Sequence, residues 1–204
     1  MPDSRTITVV IPAYNAAAFI EEALDSVARQ TRQQLEVVVV DDGSQDDTAT
    51  RVKNWRKQHD LPVTLIRQEN KGPPAARNAG INAATGQFIA LLDADDLFVP
   101  ETLVKLAQGF EAAPDLGLVF GKIENFDAQK TVYPDFFAGS RLFEIPYRHG
   151  PNGLRIMRES AFSKIIFGNF VPCCCCLFRK EDAVAIGFFD ESLRNNEDRN
   201  FFSR

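Results

Sequence analysis

A chain of 204 residues, 45% of them hydrophobic, is long enough to bury one sizeable core. Its 25% charged residues exclude a disordered or fibrous chain, and a net charge of -5 with a pI near 5.1 argues against nucleic acid, whose phosphates select basic surfaces. No apolar run is long enough to span a bilayer and no secretory h-region follows Met1, so the expected address is cytoplasmic, with the inner face of a membrane as a peripheral contact.

In chain order, residues 6–12 (Thr-Ile-Thr-Val-Val-Ile-Pro) predict a buried strand, being β-branched and apolar. Ile20, Ala23, Leu24, Val27 and Ala28 then recur at helical spacing opposite Glu21, Glu22, Asp25 and Arg29. A second strand, 35–40, runs into Asp41-Asp42-Gly43-Ser44, and Asp46 or Asp47 can cap the next helix, which turns Val52 and Trp55 inward. A short strand is expected at 63–66, a helix at 74–84 and a strand at 88–92. Pro100 opens a helix with Leu103, Leu106 and Phe110 inward, and a fifth strand follows at 116–120. Such alternation is the pattern of an α/β, Rossmann-like fold, a mostly parallel central sheet with helices on both faces. These sheets bind ligands at the carboxyl ends of their strands, where Tyr14-Asn15, Asp41-Asp42 and Asp93-Ala94-Asp95-Asp96 fall.

Beyond residue 121 the periodicity loosens. Loops and an antiparallel excursion are expected over 122–150, a helix over 153–162, a strand over 173–178 and a short helix over 181–185. The consecutive cysteines Cys173 to Cys176 are read as small, soft residues packing that strand, reduced as in a cytosolic protein. The chain stops at Phe201-Phe202-Ser203-Arg204 within a helical stretch, as though shortened at its C-terminus.

The turn after the first strand, Pro12-Ala13-Tyr14-Asn15, has neither a dinucleotide G-x-G-x-x-G nor a phosphate-loop Lys-Ser/Thr. A phosphate there needs another source of positive charge. Hard cations such as Mn²⁺ or Mg²⁺ bridge one or two carboxylates to substrate phosphates. Asp93 and Asp95, two apart, face one side of an extended segment, and Asp96 begins the exit turn. Three carboxylates in four residues repel one another without a cation; the plainer alternative is that Asp95-Asp96 caps the helix near Pro100.

With these residues in view, the sequence resembles the family 2 glycosyltransferases of the GT-A fold. The matching segments are Val10-Ile11-Pro12-Ala13-Tyr14-Asn15, Val39-Val40-Asp41-Asp42-Gly43-Ser44, Asn70-Lys71-Gly72, Ala76-Arg77-Asn78-Ala79-Gly80-Ile81, Leu91-Leu92-Asp93-Ala94-Asp95-Asp96, and Gly187-Phe188-Phe189-Asp190-Glu191 with Glu197-Asp198. The resemblance implies one GT-A catalytic domain over 1–204, with a nucleotide-sugar half (1–120) and an acceptor half (121–204). It implies inverting transfer from a nucleotide-diphospho-sugar, UDP being the expected nucleotide, to a saccharide or lipid-linked acceptor hydroxyl in cell-envelope polysaccharide synthesis. Pro12, Ala13 and Tyr14 would border the base, and Asp41 would accept from its edge. Asp93 and Ala94 would line the donor, with Asp93 at ribose or metal and Asp95 on the metal. Asp198 would be the catalytic base. Arg77 would lie beside the nucleotide, or else hold Asp41 or Asp42 in an ion pair. Two other readings stand beside this one: a nucleotidyltransferase, which would need a Gly-rich basic loop that 13–18 lacks, and a catalytically idle sugar-nucleotide-binding module.

Overall fold

In a computed structural model of the chain, residues 6–127, 137, 141–157, 164–165 and 170–204 are described. Strand β1 (Ile7–Ala13) lies centrally, pairing in parallel with β2 (Leu35–Asp41) on one side and β4 (Phe88–Leu91) on the other. Strand β3 (Val63–Arg67) extends the β2 edge in parallel. Beyond β4 the register reverses. Strand β8 (Cys176–Arg179) runs antiparallel between β4 and β5 (Leu118–Phe120), giving the order β3-β2-β1-β4-β8-β5.

Strand periodicity explains the two cores. Ile7, Val9 and Ile11 point to one face, where they pack with α1 (Ile20–Ala28), α2 (Thr48–Trp55) and α4 (Thr102–Ala112). Val10 points to the other, with Ile81 of α3 (Pro73–Ala83), Ala183 of α5 (Lys180–Ala185) and Phe201 of α6 (Glu197–Phe202). Because both faces are covered, β1 and β2 are buried along almost their whole length, as their Val and Ile runs predict. Helix α3 approaches β1 so closely that a Cβ on Gly80 would sit 2.3 Å from Val10 Cγ1, which is why glycine stands there. Asp47 takes the N-cap position of α2 without a side-chain capping bond, and Asp46, one residue earlier, accepts from the Thr48 amide at 3.0 Å in a turn that leads into the helix.

Two expectations fail in the second half. Over 153–157 there is no helix: β6 (Tyr147–His149) and β7 (Arg155–Met157) pair as an antiparallel ribbon, while 158–162 lie outside the described residues. The physical cause is Gly150-Pro151-Asn152-Gly153, where Asn152 (φ 54°) and Gly153 (φ 77°) turn the chain through the left-handed region. Nor do the four cysteines form a strand. Cys173–Cys175 make a 3-10 turn after Pro172, and only Cys176 enters β8. All four are free thiols, as expected, with Cys175 and Cys176 buried and Cys173 and Cys174 half-buried.

Candidate active site

The carboxyl ends of β1, β2 and β4 open on one cavity of about 520 Å³. At the end of β1, Pro12 and Ala13 lead to Tyr14, half exposed beside the cavity, and Asn15 takes a left-handed turn at φ 50°. That turn is tied to the loop after β2: the Asn15 amide donates to Ser44 Oγ at 2.9 Å, and Asn15 Oδ1 accepts from the Gln45 amide at 2.9 Å. The Tyr14 backbone is therefore fixed from two sides while its ring stays available.

At the end of β2 the expected assignment is corrected. Asp41 is fully buried; it accepts from the Ser44 amide at 2.9 Å and lies 2.8 Å from Arg67 Nε as an ion pair, without an aligned hydrogen bond to its Oδ2. Asp42, not Asp41, lines the cavity. Strand parity is the cause: Asp41 shares the face of Val37 and Val39, whereas Asp42 shares that of Val38 and Val40, which packs against Ala76 of α3, and stands past the last residue paired with β1. Asp42 also accepts from the amides of Lys71 at 3.0 Å and Gly72 at 2.8 Å. It thereby fixes the Asn70-Lys71-Gly72 turn that leads into α3 along the cavity wall.

Arg77, on α3, is the hub of the site. Its guanidinium donates to Asp93 Oδ1 at 2.9 Å and to Glu197 Oε1 at 3.0 Å. The alternative in which Arg77 holds Asp41 or Asp42 is thus corrected: the ion pairs exist, but with other carboxylates. The arginine is buried, and its Nε has no exposed surface and no hydrogen-bond partner among the described residues. Burial works against its charge, but the neighbouring Asp93 charge and the hydrogen bonds that Arg77 donates to Asp93 and Glu197 outweigh that penalty and raise its pKa. Burial in turn pushes the Cys173 thiol well up, so it stays neutral beside these charges.

Asp93, Ala94 and Asp95 all line the cavity. They are not equivalent: Asp93 is committed to Arg77, whereas Asp95 is exposed. Behind them, Asp96 has a raised pKa, chiefly from burial and further from the charges of Asp93 and Asp95, with the Cys174 thiol hydrogen-bonding it in opposition. Among the described residues no group of three or more His, Cys, Asp or Glu side chains converges to hold a metal ion. The donor set still fits a cation such as Mn²⁺ or Mg²⁺, which keeps several waters and takes one or two carboxylates plus a substrate phosphate. An exposed Asp95 within a mutually repelling acidic group supplies that.

Glu197 and Asp198 open α6, where carboxylates suit the helix start. The Arg77–Glu197 pair, between residues 120 apart in sequence, brings this turn to the end of β4. Three contributors escaped the sequence reading: Asp42 as a lining group, Glu197 as the partner of Arg77, and Asn70 to Gly72 as a wall. Parity could have found the first; the wall is fixed by Asp42 holding the Lys71 and Gly72 amides, and only the Glu197 pairing depends on the chain returning beyond residue 121.

An acidic, arginine-bridged cavity at the carboxyl edge of this sheet defines the class: the chain has the GT-A fold of nucleotide-sugar transferases. It matches S. aureus TarS 1-349 in complex with UDP at a TM-score of 0.71 and 25% identity, over 97% of this chain and 54% of that one. It also matches the mannosyltransferase PcManGT from Pyrobaculum calidifontis, in complex with GDP-Man and Mn²⁺, at 0.72 and 28%, over 98% of this chain and 52% of that one. The profile of glycosyl transferase family 2 matches residues 8–184, and the chain belongs to that family. Among curated relatives, the glycosyltransferase GlyG of Streptococcus pneumoniae is 35% identical over 125 residues, covering 61% of this chain and 41% of that protein. An uncharacterized glycosyltransferase of Nostoc sp. is 37% identical over 113 residues, covering 55% and 35%. The chain thus spans about half the length of the structural relatives and less of the curated ones. Among the described residues no helix is long and apolar enough to cross a membrane.

Proposed function

We propose that this chain carries the donor-binding and catalytic residues of an inverting glycosyltransferase. It moves a sugar from a nucleotide-diphospho-sugar, UDP-linked in the first instance, to the hydroxyl of a saccharide or lipid-linked acceptor. The setting is cell-envelope polysaccharide synthesis at the cytoplasmic face of a membrane, within a single catalytic domain whose first 120 residues hold the donor. The observation that carries this reading is the bridge through Arg77, which joins the donor-side Asp93 to the Glu197-Asp198 turn.

Each group then has a task. Tyr14 covers one face of the base beside Pro12 and Ala13, and Asp42 takes the base-edge role first expected of Asp41. Arg77 and the Asn70–Gly72 turn border the diphosphate side. Asp95, with Asp93 behind it, holds a divalent cation, which when bound neutralises the departing diphosphate. Asp198 accepts the acceptor hydroxyl's proton as that oxygen attacks the anomeric carbon. The bond from that carbon to the diphosphate oxygen breaks on the opposite face, so configuration inverts. Complexes of the structural neighbours with UDP, and with GDP-Man and Mn²⁺, support a nucleotide-sugar donor and a divalent cation.

The test is sugar release from UDP-, GDP- and dTDP-sugars with Mn²⁺, with the anomer of the first-formed product read by NMR. The expected result is release with inversion, lost in Asp198→Asn while nucleotide binding persists. Tight nucleotide-sugar binding with no turnover for any donor would instead identify an idle binding module and overturn the proposal.

A further inference from the structure

The acidic turn that carries Asp198 has little to hold it in place by itself. Helix α6 is only six residues long; Asn196 precedes it in the left-handed region at φ 58° and makes no side-chain capping bond. Helices this short owe their position to tertiary contacts rather than to propensity. The position of Asp198 is therefore set by whatever grips α6 from outside.

Asn78 supplies that grip at one remove. It is buried on α3, next to Arg77, and spends both ends of its amide on the turn after α5. Its Nδ2 donates to the Phe189 carbonyl at 2.9 Å and to Glu191 Oε1 at 2.8 Å, and its Oδ1 accepts from the Phe189 amide at 2.9 Å. The amide thus mimics a strand partner for Phe189. The turn it holds is a costly one, since Gly187 (φ 81°) is followed by Phe188 at φ 62°, a conformation unusual for a bulky residue. Phe189, so fixed, stacks face to face on Phe201 with ring centroids 4.0 Å apart and planes 4° from parallel. Phe201 lies three residues after Asp198 on the same helix and hence close to its face.

We infer that Asn78 is a positioning residue for the transfer, acting through Phe189 and Phe201 to set Asp198, while its neighbour Arg77 grips Glu197 at the helix start. Consecutive residues of α3 thereby serve the two halves of the reaction: Arg77 at the donor wall and Asn78 on the helix bearing the base. The inference rests on the reading of Asp198 as that base. Misplacing a reacting group by an ångström costs on the order of a hundredfold in rate. Asn78→Ala should therefore lower kcat roughly tenfold to a hundredfold while leaving UDP affinity with Mn²⁺ within about twofold, because it touches no donor group.

Amide hydrogen exchange of the full chain gives a readout independent of turnover. In Asn78→Ala, the amides of α6 should exchange faster by about tenfold or more, while those of β1 and β2 keep their rates. Phe201→Leu, which removes only the ring stack, is read the same way should Asn78→Ala fail to fold. Unchanged exchange in α6, or loss of UDP binding in step with kcat, would overturn the positioning role. Undiminished sugar release in Asp198→Asn would instead overturn the base assignment, so the two failures are distinguishable.

Discussion

The two acidic residues of the Asp93-Ala94-Asp95 segment should separate cleanly in their effects on stability and on binding. Asp93→Ala removes one of the two carboxylates that Arg77 engages, at 2.9 Å, where the arginine side chain is 7% and the aspartate 33% exposed. A hydrogen bond to a charged group contributes about 1.5–3 kcal/mol, and screening of a one-third-exposed carboxylate with Glu197 still in place lowers this to about 1–2 kcal/mol. For a chain of this size each kcal/mol moves Tm by about 2–4 °C, so a loss of about 2–8 °C is expected without ligand. Asp95→Ala removes an exposed side chain, and its Tm should stay within about 2 °C of the parent. Adding Mn²⁺ and UDP reverses the order. A ligand at about 100 times its Kd stabilises by about 2.7 kcal/mol, or about 5–11 °C here. The parent and, in part, Asp93→Ala should show that rise, and Asp95→Ala should lose its Mn²⁺-dependent component. Thermal melts with and without Mn²⁺ and UDP decide it. If Asp95→Ala melts as early as Asp93→Ala without ligand, or keeps the full Mn²⁺-dependent rise, the division of labour argued here is wrong.

Gly80→Ala should destabilise even though alanine favours a helix by about 1 kcal/mol, because the new Cβ meets Val10 Cγ1 at 2.3 Å and overpacking costs about 1–3 kcal/mol. Adding Val10→Ala should recover part of the loss in a double-mutant melt; a single Gly80→Ala more stable than the parent contradicts the close packing. For Asp96 the sign runs the other way. Its folded-state pKa lies above the ordinary 3.8, raised by burial and by Asp93 and Asp95, so its contribution is full below that value and is lost as pH rises through the folded pKa. Asp96→Asn should therefore melt higher than the parent at neutral pH without metal, with the gap closing in acid; a lower Tm at neutral pH would refute this.

Much of the donor side was legible because it depends on local rules. Alternating strands and helices put Tyr14, Asp42 and Asp93 to Asp95 at carboxyl ends in any parallel sheet, whatever the details of packing. What the sequence concealed was one residue of parity. Asp41 and Asp42 look interchangeable in the string, yet one belongs to the inward row of β2 and the other lies beyond the last pair with β1. The second half was less readable because its geometry depends on distant partners. Cys176 and Phe178 gain a strand's environment only by entering between β4 and β5, and Cys173–Cys175 turn instead. The ribbon of β6 and β7 depends on two left-handed residues, Asn152 and Gly153, in a stretch whose composition also suits a helix start.

The sharing of Arg77 bears on the proposed requirement for a cation. Asp93 and Glu197 flank one buried guanidinium, and Arg77 already spends two donors on these carboxylates. A diphosphate entering this cavity meets an arginine whose charge is largely matched by two carboxylates. It also meets Asp95, exposed at the cavity wall. On the proposed reading, Arg77 orients the donor and couples its site to the base, but cannot by itself neutralise the leaving group. The charge deficit is local to Asp95, the exposed member of the group, which is where a divalent cation would be most strongly attracted. Metal dependence then follows from the commitment of Arg77 to Asp93 and Glu197. Freeing the guanidinium with Glu197→Gln should accordingly weaken the Mn²⁺ requirement for UDP binding, and an unchanged requirement would show that the arginine's pairing does not set it.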